Sequence, residues 1–217
     1  GTKPYSFSWT TADGSGLDAF AQNQSGLSAG TYEMTLQDAN GCIKDISFTL
    51  ANPDPIAITF TFTQDITCGG GSDGEIDITA TGGTVASDYT YNWSTSDGTG
   101  LNATVADQTG LTAGTYTVTV TDDSGCSAEA SVTLNEPETL TISLVNQENI
   151  SCNGLTDGAI DVDVTGGTIA TEYVYSWSTS DGTAVVADAQ DQVDLGPGTY
   201  DLTVTDDEGC TAEASYT

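Results

Sequence analysis

Three tryptophans at one spacing constrain this chain more than any other feature. Trp9, Trp93 and Trp177 stand 84 residues apart and are the only three. Each closes the same text: Tyr5-Ser6-Phe7-Ser8-Trp9, Tyr89-Thr90-Tyr91-Asn92-Trp93 and Tyr173-Val174-Tyr175-Ser176-Trp177. An Asp-Gly turn follows each, at Asp13-Gly14, Asp97-Gly98 and Asp181-Gly182. Tyr32, Tyr116 and Tyr200 keep the period, as do Cys42, Cys126 and Cys210, and Cys68 with Cys152. Solenoid units of roughly 20–50 residues share one continuous core, whereas 84 residues suffice for a small core of their own. The spacing therefore predicts tandem domains. Residues 1–54 read as a partial sandwich repeat lacking its first strands, 55–138 as a complete one and 139–217 as a nearly complete one, a window onto a longer array. Pro53, Pro55 and Pro137 fall at the joints, where proline stiffens a linker.

Within each repeat the apolar residues alternate with period two. Ile56, Ile58, Phe60 and Phe62 take one face, then Ile76, Ile78 and Ala80, then Tyr89, Tyr91 and Trp93, then Tyr116, Val118 and Val120, then Ala128, Ala130, Val132 and Leu134. Threonine, serine and carboxylates fill the other face, the signature of half-buried strands. Gly69-Gly70-Gly71-Ser72-Asp73-Gly74, Gly82-Gly83 and Asp122-Asp123-Ser124-Gly125 supply turns. Thr99–Gly114 is less regular, with Val105 and Leu111 expected inward. Short strands, regular turns and one tryptophan per repeat predict an all-β chain of tandem immunoglobulin-like β-sandwiches. The tryptophans and Tyr32, Tyr116 and Tyr200 are its expected core, which makes the aromatic ladder packing and not a sugar platform.

The formal charge is −30, with Lys3 and Lys44 the only cations. Nucleic-acid binding needs basic residues to neutralise phosphates, and an anionic membrane surface needs the same; both partner classes are excluded, and no run long and apolar enough for membrane insertion is present. Histidine is absent, which removes Ser-His and Cys-His nucleophile pairs. The acidic residues recur at turns and strand exteriors, so the chain is read as no enzyme. Calcium is the candidate cofactor. Asp73, Asp77, Asp122 and Asp123, matched by Asp157, Asp161, Asp206 and Asp207, could supply oxygen ligands, provided a disulfide brought the Asp73 loop to the Asp122-Asp123 turn.

Two cysteines per repeat point to disulfides and an oxidising compartment. Pairing within repeats gives Cys68–Cys126 and Cys152–Cys210 and leaves Cys42 unpaired in this fragment. Pairing between repeats gives Cys42–Cys68 and Cys126–Cys152 and leaves Cys210. Parity does not decide; one disulfide per repeat is preferred because each domain then carries its own staple, closing a 58-residue loop (126 − 68) and contributing about 4 kcal/mol.

These pieces together resemble the SprB repeat: Cys68…Ser72-Asp73-Gly74, Gly82-Gly83-Thr84, Tyr89 to Ser94, Ala113-Gly114-Thr115-Tyr116…Thr121-Asp122 and Gly125-Cys126, with a second set from Cys152 through Gly166-Gly167-Thr168 and Trp177 to Gly209-Cys210. The resemblance implies a segment of a very large, repetitive surface protein of Bacteroidota, whose namesake is a mobile adhesin of gliding cells exported by type IX secretion. It implies an extracellular, outer-membrane-associated location, with further repeats of the same chain and the gliding or secretion machinery as partners. The expected function is a non-catalytic stalk of a cell-surface adhesin. Two other readings are a glycan- or surface-binding module, calcium-dependent, with extracellular polysaccharide or substratum as its partner, and a structural surface filament.

Overall fold

Strand follows wherever threonine alternates with an apolar residue, because β-branched side chains suit the pleat and one face finds a core. The computed structural model describes all 217 residues, and every regular element is a strand. The chain forms two compact units, one of residues 1–55 with 82–84 and one of 56–81 with 85–217.

In the first unit, β1 (Ser6–Thr11), β2 (Gly30–Gln37) and β3 (Ile43–Leu50) make one antiparallel sheet in that order. Tyr32 and Met34 are buried, and the Trp9 ring tilts against Phe48 at 5.8 Å. Trp9 itself is only half-buried, contrary to its expected core placement, and β3 is exposed along its whole length. The reason is that this unit has a single sheet, with no second layer facing it.

The second unit holds two sandwiches. The middle repeat pairs β4 (Ala57–Gln64), β5 (Gly74–Thr81) and β7 (Gln108–Leu111) in one sheet, and β6 (Thr90–Thr95), β8 (Gly114–Thr121) and β9 (Ser127–Leu134) in the other. The last repeat copies it: β10 (Thr141–Glu148), β11 (Gly158–Thr165) and β13 (Gln192–Leu195) face β12 (Val174–Thr179), β14 (Tyr200–Thr205) and β15 (Thr211–Tyr216). Ile76 and Ile78 from one layer meet Trp93, Val118 and Val120 from the other; Ile160, Val162, Trp177, Leu202 and Val204 repeat the arrangement. On β8, Tyr116, Val118 and Val120 are fully buried while the intervening threonines are not.

Two features depart from the sequence pattern. A bulge shifts the β4–β5 register between Phe60 and Phe62, so Phe60 lies opposite Ile78 but Phe62 lies opposite Asp77. Phe62 therefore turns outward, 47% exposed. The same bulge sits between Leu144 and Asn146. Second, Val105 is exposed, while Leu111 is buried as expected. Gln108, 2% exposed, is the other inward residue of that stretch. Its amide nitrogen donates to the carbonyls of Asn102 and Val105, and its Oε1 accepts the Asn102 N–H. Gln192 binds Val186 in the same way, and Gln24 binds Asp18. An amide side chain at the start of β7 thus ties the irregular stretch before that strand together. Gln108→Leu keeps the volume but strands backbone groups at about 1–3 kcal/mol each. Urea unfolding is expected to show a loss of about 2 kcal/mol; a change under about 0.5 kcal/mol would contradict this role.

Candidate functional site at the junction of the two sandwiches

Each sandwich has two poles, set by strand direction. In the middle repeat, Gly74 pairs with Leu111 and Gly114 with Leu134 at one end, whereas Thr121 pairs with Thr90 and Ser127 at the other. Cys68, between β4 and β5, lies at the first pole. Cys126, in the turn between β8 and β9, lies at the second. Eight residues of strand separate the poles by about 26 Å, far beyond the reach of a disulfide. Pairing of Cys68 with Cys126, and of Cys152 with Cys210, is therefore corrected. The structure bonds Cys68 to Cys210, 142 residues apart, and leaves Cys42, Cys126 and Cys152 exposed and free. Neither scheme drawn from the sequence contains this bond. It joins the far pole of one sandwich to the near pole of the next.

The interdomain linker is folded into that joint. The Ile66 N–H donates to the Asn135 carbonyl at 2.9 Å, the Gly70 N–H to a Glu136 carboxylate oxygen at 2.6 Å, and the Asn135 N–H to Asp65 at 2.9 Å. The linker passes so close that a Cβ on Gly69 would stand 2.7 Å from the Pro137 carbonyl and the Thr139 backbone. From the other side, Asp206 accepts the Cys210 N–H at 2.8 Å and the Thr168 N–H at 2.8 Å. The Cys210 sulfur lies 3.5 Å from the Thr67 carbonyl. A covalent bond and a set of charge-assisted hydrogen bonds thus define one end-to-end contact.

The aspartates considered for calcium do not converge. Asp73 and Asp157 sit at the poles of Cys68 and Cys152; Asp122, Asp123, Asp206 and Asp207 sit at the opposite poles; Asp77 and Asp161 lie mid-strand on β5 and β11. No group of three or more acidic, histidine or cysteine side chains is placed to hold a metal. Most of these carboxylates accept backbone amides instead. Asp122 caps Ser124 and Cys126; Asp206 caps Glu208 and Cys210. The Thr67 hydroxyl and then its N–H hold the Asp73 carboxyl below the ordinary range, and the Ser151 hydroxyl and N–H do the same for Asp157. Asp123 accepts the N–H groups of Ala86 and Ser87, and Asp207 those of Ala170 and Thr171. These bonds lower the Asp123 and Asp207 pKa from 3.8.

A depressed folded pKa stabilises above the unfolded value and ceases to as pH falls through the folded one. The loops at 84–88 and 168–172 are therefore expected to be held closed in full above the ordinary aspartate pKa and to loosen only as pH falls through the lowered folded values. Amide hydrogen exchange in acid should show protection lost at Ala86, Ser87, Ala170 and Thr171 while the Trp93 and Trp177 amides remain protected. Equal protection at all pH values would refute the assignment.

The aromatic ladder is split between core and rim. Trp93 and Trp177 are 3% exposed, and their indole N–H groups donate to the carbonyls of Val105 and Ala189 at 3.0 and 2.9 Å. Tyr91 and Tyr175 are half-buried, and desolvation raises both phenol pKa values. Tyr116 is fully buried; its hydroxyl lies 2.7 Å from the Thr112 carbonyl and 3.0 Å from that of Thr99, donating to one at a time. Tyr32 and Tyr200 occupy the same setting.

No curated protein matches the chain. Among solved structures it is similar to the eight N-terminal Ig domains of Down syndrome cell adhesion molecule, at 16% identity over 97% of this chain and 31% of that one, with a TM-score of 0.41. The human desmocollin-1 ectodomain is similar at 10% identity over 87% of this chain and 43% of that one, TM-score 0.40. The insect immune protein hemolin is similar at 15% over 96% and 66%, TM-score 0.36. Scores at this level bear on neither topology nor function, and the fold assignment stands on the strand pairing. The family model that matches is the SprB repeat, at residues 61–98 and again at 144–182. The first match runs from β4 to the Asp97-Gly98 turn and the second from β10 to the Asp181-Gly182 turn, so the middle and last sandwiches each match the SprB repeat over the same part.

Proposed function

We propose that this chain is a repeat segment of a large cell-surface adhesin and serves as a non-catalytic stalk. The observation that supports this best is two SprB sandwiches in tandem, bonded pole to pole. A disulfide suits an extracytoplasmic, oxidising location. The carboxylates engage backbone amides, and with histidine absent this favours a structural reading over a catalytic one. The net charge of −30 keeps neighbouring stalks apart by repulsion. In this reading the segment holds a distal region out toward polysaccharide or substratum, is exported by type IX secretion, and is carried by the gliding machinery through other parts of the protein.

The test is surface labelling of intact producing cells with fluorescent antibody fragments raised against residues 56–217. Labelling without permeabilisation, with labels travelling along gliding cells, is the expected result. Label reaching its target only after lysis would overturn the surface reading; stationary surface label would overturn the motility part.

A further inference from the structure

The Cys68–Cys210 bond changes how a pull on this chain is transmitted. Under tension a polypeptide carries load along its shortest covalent path. From the N-terminal side that path runs through β4 to Cys68, crosses the two sulfurs to Cys210, and leaves through β15. The residues in between, 69–209, lie outside it. They include β5 through β14, almost all of both sandwiches.

We infer that the bridge is a mechanical bypass with a redox release: while it is intact, tension on the chain ends cannot unravel either sandwich end to end, and reduction brings both into the load path. Two features support the bypass as a designed joint. The bond sits where the poles already meet through the linker, with Asn135 and Glu136 held by Ile66 and Gly70. Its cysteines follow the Thr67 and Asp206 contacts that fix both loops. A staple inside each sandwich would shield each domain separately and leave the linker loaded. A staple across the joint shields both domains and relieves the linker as well.

Release follows ordinary thiol–disulfide exchange. A thiolate of a small dithiol attacks the sulfur of Cys68, which is more exposed than the buried Cys210. The mixed disulfide is resolved by the second thiol of the reductant, which departs as its own disulfide. Two electrons and two protons pass to Cys68 and Cys210, which become thiols.

The test is single-molecule stretching of the whole chain, held by its two ends, in oxidising buffer and again with a small dithiol. The 141 residues enclosed by the bond correspond to about 500 Å of contour at roughly 3.3–3.6 Å per residue. The reduced chain is expected to extend by that much more, in two large steps absent from the oxidised traces. Cys210→Ser in oxidising buffer should reproduce the reduced length. If that variant fails to fold, the comparison of the unmodified chain with and without reductant still decides. Equal final lengths in both buffers would overturn the inference. So would an oxidised trace with two separate steps each shortened by 57 residues, the pattern of bonds inside each repeat. The inference rests on the stalk reading only for the direction of load. Equal lengths would leave surface labelling untouched, and failed surface labelling would leave the bypass intact.

Discussion

Trp93→Ala is expected to cost the middle sandwich about 3–5 kcal/mol, the range for removing a large buried aromatic side chain. Trp93 is 3% exposed and packs in the cluster with Ile76, Ile78, Val118 and Val120. Its loss removes both the packing and the indole bond to the Val105 carbonyl, 3.0 Å long, which anchors the loop that Gln108 holds from the other side. A domain of about 80 residues has a thin margin, so this one change should abolish its cooperative unfolding at physiological temperature. Circular dichroism melting, with Trp177 fluorescence in a Trp9→Phe background reporting the last repeat, separates the two sandwiches. A shift corresponding to less than about 1 kcal/mol would place Trp93 outside the core.

Removing the junction bond, by Cys68→Ser with Cys210→Ser, is expected to have an effect of similar size but of a different kind. Closing the 142-residue span contributes about 5 kcal/mol against unfolding of both sandwiches in the chain-entropy model. The contribution is not divided evenly. While the last sandwich stays folded, Cys210 is held at the linker, so unfolding the middle one alone closes a loop of residues 68–138, worth roughly 4 kcal/mol. The mirror argument holds for the last sandwich. Whichever unfolds first loses the larger share, and the other then gains only about 1 kcal/mol more from the bond. The oxidised pair should therefore melt late and nearly together, and the serine pair should melt earlier as two separable transitions. Coincident melts with and without the bond, by differential scanning calorimetry, would contradict this.

Most of the strand framework was legible because the 84-residue period repeats each phase. Tyr116 and Tyr200, Val118 and Leu202, Val120 and Val204 agree across repeats, and all are buried. The missed features have specific causes. Thr61 and Val145, the extra residues at the bulges, carry no glycine or proline signal, so Phe62 continued an unbroken alternation that the register breaks. Gln108 was passed over because polar residues are ordinarily exposed. The available clue was its recurrence as Gln24 and Gln192. The disulfide was missed through strand parity. Three full strands, β5, β6 and β8, separate Cys68 from Cys126 and put them at opposite poles. The preference for one staple per domain takes no account of strand direction.

Gly69 carries a consequence for how such arrays change over generations. The linker leaves no room for a side chain there, yet 84 residues later the same position is Asn153. An exchange that swapped these two repeats whole would set Asn153 against the linker and force the joint open. At this position the fit belongs to the joint, the back of one repeat together with the front of the next, so a duplication that copies both together keeps Gly69 under its linker.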